Sequence, residues 1–78
     1  MPRFTLYGRE ECHLCDAMHN ELRELQRNYT FDIEWIDVDS DPALELKYGF
    51  YVPVLMLNEQ KICHYHLDEN IFKGFLKT

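Results

Sequence analysis

The 78-residue chain predicts a small α/β domain, and three observations carry that reading. Short runs rich in β-branched and aromatic residues alternate with runs whose apolar positions recur at helical spacing. The length is enough for one domain, residues 1–78, and for no second. A Cys-x-x-Cys, Cys12-His13-Leu14-Cys15, stands at the first junction between a strand pattern and a helix pattern.

The elements follow in order. Residues 3–7 alternate around Phe4, Leu6 and Tyr7 and stop at Gly8, as a short strand does. From Cys12 the apolar positions Leu14, Cys15, Met18, Leu22 and Leu25 recur at helical spacing. Asp16, Glu21, Arg23, Glu24 and Arg27 form the polar face between them. This helix is expected to reach about Asn28. Glu10, Glu11 and Asp16 lie in or before its first turn, where the helix dipole favours negative charge.

Phe31 to Val38 carries Ile33, Trp35, Ile36 and Val38. Apolar residues on both parities predict a central strand covered on both faces. Strand, helix, strand over this length is a βαβ unit, for which a right-handed crossover is the rule. Ser40-Asp41-Pro42 is a helix start, with a capping side chain and then proline at the first helical position. The helix Pro42–Tyr48 is expected to end at Gly49. Val52–Leu57 and Lys61–His66 read as two strands joined at Asn58-Glu59-Gln60, a joint short enough for an antiparallel hairpin. Asp68 is placed to cap a last helix whose buried stripe is Ile71, Phe72, Phe75 and Leu76. The order is β-α-β-α-β-β-α.

Composition narrows the function. Fourteen acidic against eight basic residues give a net charge of −6, which argues against nucleic acid and against an anionic membrane surface. No apolar run reaches the length of a membrane-spanning helix. Met1-Pro2-Arg3 leads directly into the first strand without the regions of a secretory signal, so a cytoplasmic location is expected. Three cysteines make a poor disulfide framework; a close pair plus one spare suits a redox site in a reducing compartment.

Two thiols three positions apart can meet at a helix N-terminus. There the first backbone N–H groups lack intrahelical partners, and the positive dipole end favours thiolate over thiol. Cys12, at the helix start, is the expected exposed attacking thiol. Cys15, one turn in on the apolar stripe, is the expected buried resolving thiol. The same pair also suits half of a metal site, and both alternatives stand at this level.

The strand-Cys-x-x-Cys-helix order, with Tyr51-Val52-Pro53-Val54 opening a later strand, resembles the thioredoxin fold in its minimal, glutaredoxin-like form. Leu6-Tyr7-Gly8-Arg9, Asp37-Val38-Asp39-Ser40-Asp41-Pro42 and Lys47-Tyr48-Gly49 bring it closer to small glutaredoxin-like proteins with a Cys-His-Leu-Cys site. The resemblance spans Phe4 to Leu76. It implies a four-stranded mixed sheet with helices on both faces, and a cis Pro53 whose loop faces the thiols. The backbone of Val52 would then meet an extended thiol substrate. It implies a monomeric thiol–disulfide oxidoreductase acting on protein or small-molecule disulfides without a bound cofactor. Its electrons would come from a reductase, a dithiol protein or glutathione.

One departure stands out. Where glutathione-binding relatives carry Gly-Gly and then an Asp pair, this chain has Ile62-Cys63-His64-Tyr65-His66-Leu67-Asp68-Glu69. Asp68 remains as the acidic contact, and Arg9 stands where a lysine often precedes the first cysteine. Tyr7, Arg9, His13, Val52, Pro53 and Asp68 are thus the candidate substrate-binding residues beside Cys12 and Cys15. His13, in the spacer, is a candidate to stabilise the Cys12 thiolate. A non-catalytic metal or iron–sulfur binder using the same cysteines is the alternative, and an adaptor that kept the fold without turnover is a third reading. No metal ligand is assigned: His64 and His66 read as exposed edge residues, and Pro42 and Tyr48 break the calcium-loop pattern begun by Asp37, Asp39 and Asp41.

Overall fold

In a computed structural model, described over residues 1–76, the chain forms β1 Arg3–Gly8, α1 His13–Leu25, β2 Asp32–Asp37 and a single 3-10 turn Val38–Ser40. These are followed by α2 Pro42–Tyr48, β3 Val54–Leu57, β4 Gln60–His64 and α3 Glu69–Phe75. The last two positions of the expected 1–78 domain lie outside the described residues. The element order is the one expected, and the α/β class with a four-stranded mixed sheet holds. Strand order is β2-β1-β3-β4, with β1–β2 parallel and β1–β3 and β3–β4 antiparallel.

The sheet separates two unequal layers. Phe4 and Leu6 of β1 and Leu55 of β3 share one face, because Leu6 stands opposite Leu55 and side chains alternate along a strand. On that face they pack with Met18 and Leu22 of α1 and Phe72 of α3. Phe4, Phe31 and Phe72 form an aromatic triad, with ring centroids 4.8–5.7 Å apart. On the other face lie Tyr7, Val54 and Lys61, by the registers Tyr7–Val54 and Met56–Lys61. The short α2 packs there, through Tyr48 stacked on Tyr7 at 4.2 Å.

Four expectations are corrected. β2 is an edge strand, whereas its pattern predicts a central one. Both of its faces carry apolar residues, but one lateral edge has no strand beside it, and hydropathy reports faces rather than lateral pairing. Helix α1 stops at Leu25 rather than near Asn28, and the Gln26 amide donates to the Phe31 carbonyl at 3.0 Å, tying the turn to the start of β2. Leu14 and Ile71, placed by spacing on buried stripes, are 40% and 50% exposed. The strands β3 and β4 are also shorter than predicted, at Val54–Leu57 and Gln60–His64.

The local chemistry of the turns is otherwise as read. Asp41 caps α2 through the Ala43 N–H at 2.9 Å, with Pro42 at the first helical position. Leu57 pairs with Gln60, so Asn58 and Glu59 make the hairpin turn. Asn58 takes φ 55°, a conformation that asparagine tolerates better than most residues.

Gly8 is required by close approach. A β-carbon there would lie 2.5 and 2.8 Å from Cη2 and Cζ3 of Trp35, whose ring stacks on His19 of α1 at 5.3 Å. Gly8→Ala is therefore expected to lower stability in urea denaturation by about 1–3 kcal/mol, the usual cost of overpacking. It should also shift the emission of Trp35, the single tryptophan.

Candidate active site

The β1–β3 register assembles the site. Tyr7 stands opposite Val54, so Gly8 is level with Pro53. His64 also stands opposite Val54, and the Tyr65 N–H donates to the Pro53 carbonyl at 2.9 Å. The start of α1, the 51–53 loop and the turn leading into α3 thus gather at one end of the sheet.

Cys12 is the N-cap of α1, with extended backbone (φ −120°, ψ 108°). Its sulfur accepts the Cys15 N–H at 3.2 Å, and its carbonyl accepts the Asp16 N–H at 3.0 Å. The sulfur occupies the place that a serine or aspartate oxygen takes in an ordinary cap. Glu11, immediately before it, holds φ 55°, a left-handed conformation uncommon for a side chain of this kind. Cys12 and Cys15 form a disulfide with Cα atoms 5.2 Å apart, and Cys15 is wholly buried while Cys12 is half-buried.

The other residues singled out by sequence fall into two groups. Val52 and Pro53 stand at the assembled end: Val52 is half-buried, Pro53 is buried, and the bond between them is cis. His13 is exposed at the first position of α1, directly beside Cys12. Tyr7, Arg9 and Asp68 are engaged elsewhere. The Tyr7 ring is stacked under Tyr48 on the α2 side, and burial, with Tyr48 as the next cause, pushes its hydroxyl pKa up. The Arg9 guanidinium reaches Glu45 at 3.4 Å and Asp39 at 3.6 Å, tying the loop before Cys12 to the 3-10 turn and α2. The Asp68 carboxylate accepts the Ile71 N–H at 3.1 Å and so caps α3.

Tyr65 was not singled out. It adopts φ 64°, the left-handed conformation that glycine takes freely, within the stretch where the resemblance expects Gly-Gly. Its hydroxyl donates to the Phe50 carbonyl at 2.9 Å, so one residue holds the 50–53 loop by two bonds. A positive φ at tyrosine leaves no mark in a sequence. Cys63, the free thiol, is half-buried on β4, and burial raises its pKa despite a hydrogen bond from the Asp68 backbone. Among the described residues, no group of three or more His, Cys, Asp or Glu is placed to hold a metal ion. No helix among them is long and apolar enough to cross a membrane.

Comparison with known proteins agrees with the geometry. Residues 3–77 match the model of the Glutaredoxin-like domain (DUF836). An uncharacterized protein of Mycobacterium tuberculosis is 30% identical over 74 residues, covering 88% of this chain and 76% of its own length. The solution structure of protein Ne2328 from Nitrosomonas europaea is 40% identical, with a TM-score of 0.86 over 99% of this chain and 94% of that one. The X-ray structure of protein XcR50 from X. campestris is 34% identical, with a TM-score of 0.69 over 94% and 93%. Thioredoxin 1 from Thermosipho africanus, 21% identical with a TM-score of 0.63 over 96% and 94%, shares the fold. With its thioredoxin-type sheet and its close cysteine pair at the start of α1, the chain belongs to the glutaredoxin-like domain family.

Proposed function

We propose that the protein is a thiol–disulfide oxidoreductase that cycles Cys12 and Cys15 between dithiol and disulfide. The observation that carries this reading is the Cys12 sulfur in the N-cap of α1, accepting the Cys15 N–H, with Cys15 buried behind it. That N–H and the positive end of the helix stabilise negative charge on Cys12 and so favour its thiolate.

A structural staple is the weaker account of the pair. The cysteines are three positions apart, and the loop-entropy model assigns so small a ring roughly 2 kcal/mol, against about 4.7 for a 100-residue loop. The bond also joins one helical turn to itself, not distant elements.

In the cycle, the Cys12 thiolate attacks one sulfur of a substrate disulfide. A mixed disulfide forms and the other substrate sulfur leaves as a thiolate, which takes a proton. Cys15, deprotonated, then attacks the Cys12 sulfur. The second substrate thiol is released and the Cys12–Cys15 disulfide forms. A donor dithiol reverses this with two electrons and two protons and is itself oxidised to a disulfide. His13, next to Cys12 in the chain, and the Val52-Pro53 loop, at the same end of the sheet, are the proposed substrate-facing groups.

Cys12→Ser is expected to abolish reduction of insulin or bis(2-hydroxyethyl) disulfide. Cys15→Ser should instead trap a mixed disulfide on Cys12, visible by mass spectrometry. Unchanged turnover in Cys12→Ser would sink the assignment. The electron donor is proposed to be a dithiol system rather than glutathione, because Asp68 caps its own helix and Arg9 is held by two carboxylates. At matched driving force, a thioredoxin-reductase system should reduce the Cys12–Cys15 disulfide at least ~10-fold faster than glutathione, a gap set by attack geometry rather than potential. Cys63 stands outside the cycle, its pKa raised by burial. In the reduced protein at neutral pH it should be alkylated more slowly than Cys12, and Cys63→Ser should retain disulfide exchange.

A further inference from the structure

A cavity of about 190 Å³ lies behind the 51–53 loop, lined by Lys47, Tyr48, Tyr51, Val54 and Lys61. It occupies the α2 side of the sheet, away from the cysteine pair's helix. The two are joined by a single stretch of backbone, since residues 51–54 give Tyr51 and Val54 to the cavity and Val52 and Pro53 to the cysteine end.

Charge identifies what the cavity accepts. The chain carries −6 overall, and Arg9, Arg27 and Lys73 pair with carboxylates. Among the described residues, Arg3, Arg23, Lys47 and Lys61 make no such pair, and two of these four, Lys47 and Lys61, line this one cavity. Lys47 lies over the Tyr48 ring at 5.3 Å, and the Lys61 ammonium is 3.1 Å from Nδ1 of His64. Neither contact neutralises a positive charge, so two lysines unpaired with carboxylates line a pocket on an acidic protein.

Size identifies the kind of occupant. Sites for whole small molecules or cofactors run to about 300–1,000 Å³, and this one is smaller, suited to one inserted side chain. Exposed apolar residues adjoin its lining residues in the chain: Leu46, before Lys47, and Phe50, before Tyr51, are each 81% exposed, and Tyr51 itself is 48% exposed. An apolar anchor in a pocket, with charges at the rim, is the usual anatomy of a protein docking site.

We infer that the Lys47–Tyr48–Tyr51–Val54–Lys61 cavity docks protein partners of the disulfide exchange that present an apolar side chain flanked by carboxylates near their reacting cysteine. The inference rests on the proposed redox function and names the substrate class for it. Lysines 47 and 61 select the acidic flank, and the tyrosines with Phe50 hold the apolar anchor.

The test uses two matched peptides, each closed by one disulfide. One carries a phenylalanine flanked by glutamates, the other a phenylalanine flanked by lysines. Rates of reduction are divided by the rate for bis(2-hydroxyethyl) disulfide. The acidic peptide is expected to react at least ~10-fold faster at low salt, with the ratio shrinking as salt is added. Lys47→Glu/Lys61→Glu should invert the preference. Equal normalised rates, or a preference that survives in the double variant, would overturn the inference. Should no disulfide be exchanged at all, the redox reading fails and binding decides the surface separately. In that arm, Cys12→Ser/Cys15→Ser protein is titrated with the cysteine-to-serine forms of both peptides by NMR. Shifts at Tyr48, Tyr51 and Val54 with the acidic peptide alone support the docking site, and their absence refutes it.

Discussion

The pairing of Tyr7 with Val54 is the constraint on which the site depends. It sets Gly8 level with Pro53, and the chain needs only residues 9–11 to bring Cys12 to the same end. A slip of β3 by one residue against β1 would turn Leu55 away from α1 and α3 and bring Val54 or Met56 into its place. The register is therefore held by the whole aromatic and aliphatic core. Phe4, Leu6, Leu55 and Phe72, all wholly buried, thereby fix the geometry of the cysteine end of the sheet.

On that frame the cysteine pair needs little further machinery. A helix start leaves backbone donors unmet, and an N-cap side chain meets one of them. Placing sulfur in that position makes the same hydrogen bond serve two ends. It completes the helix, and it supplies a donor to whatever charge the sulfur carries. Cys15 is buried on the stripe that also contains Met18 and Leu22, so the packing that anchors α1 also withholds the second thiol from solvent. Two left-handed residues, Glu11 before Cys12 and Tyr65 against the Pro53 carbonyl, bracket this end of the sheet. Backbone in that region costs on the order of 1–3 kcal/mol per residue and persists where surrounding contacts over-determine it. At Tyr65 the two bonds to the 50–53 loop are such contacts.

How far the sequence reaches follows from what each pattern measures. Caps and helix starts at Cys12, Asp41 and Asp68 were legible because their chemistry is local. The element order was legible because hydropathy changes period at each boundary. β2 was misplaced because Ile33, Trp35 and Ile36 report cover above and below the strand and say nothing of its lateral neighbour. Leu14 has the spacing of a buried residue but lies in the first turn of α1, beyond the end of the packed stripe. Tyr7, Arg9 and Asp68 drew attention by proximity to motifs, yet their partners Tyr48, Glu45 and the Ile71 N–H are visible only after folding. The cavity residues were not legible, because Lys47, Tyr51 and Lys61 come from a helix, a loop and an edge strand with no shared spacing.

The same size limit explains why that cavity is open. A chain of 78 residues buries a smaller share of its surface than a larger domain and supports one substantial core. Here that core lies between the sheet and the pair α1 and α3. The opposite face is left to the seven residues of α2, none of which is buried. Tyr48 covers Tyr7, but Leu46 and Phe50 stay exposed. Surface of this kind is a solubility cost for an isolated monomer, and lysines at its border limit non-specific association. On the cysteine face the chain must be closed to hold Cys15 dry. On the α2 face it can stay open, and the loop that carries Pro53 has one side on each.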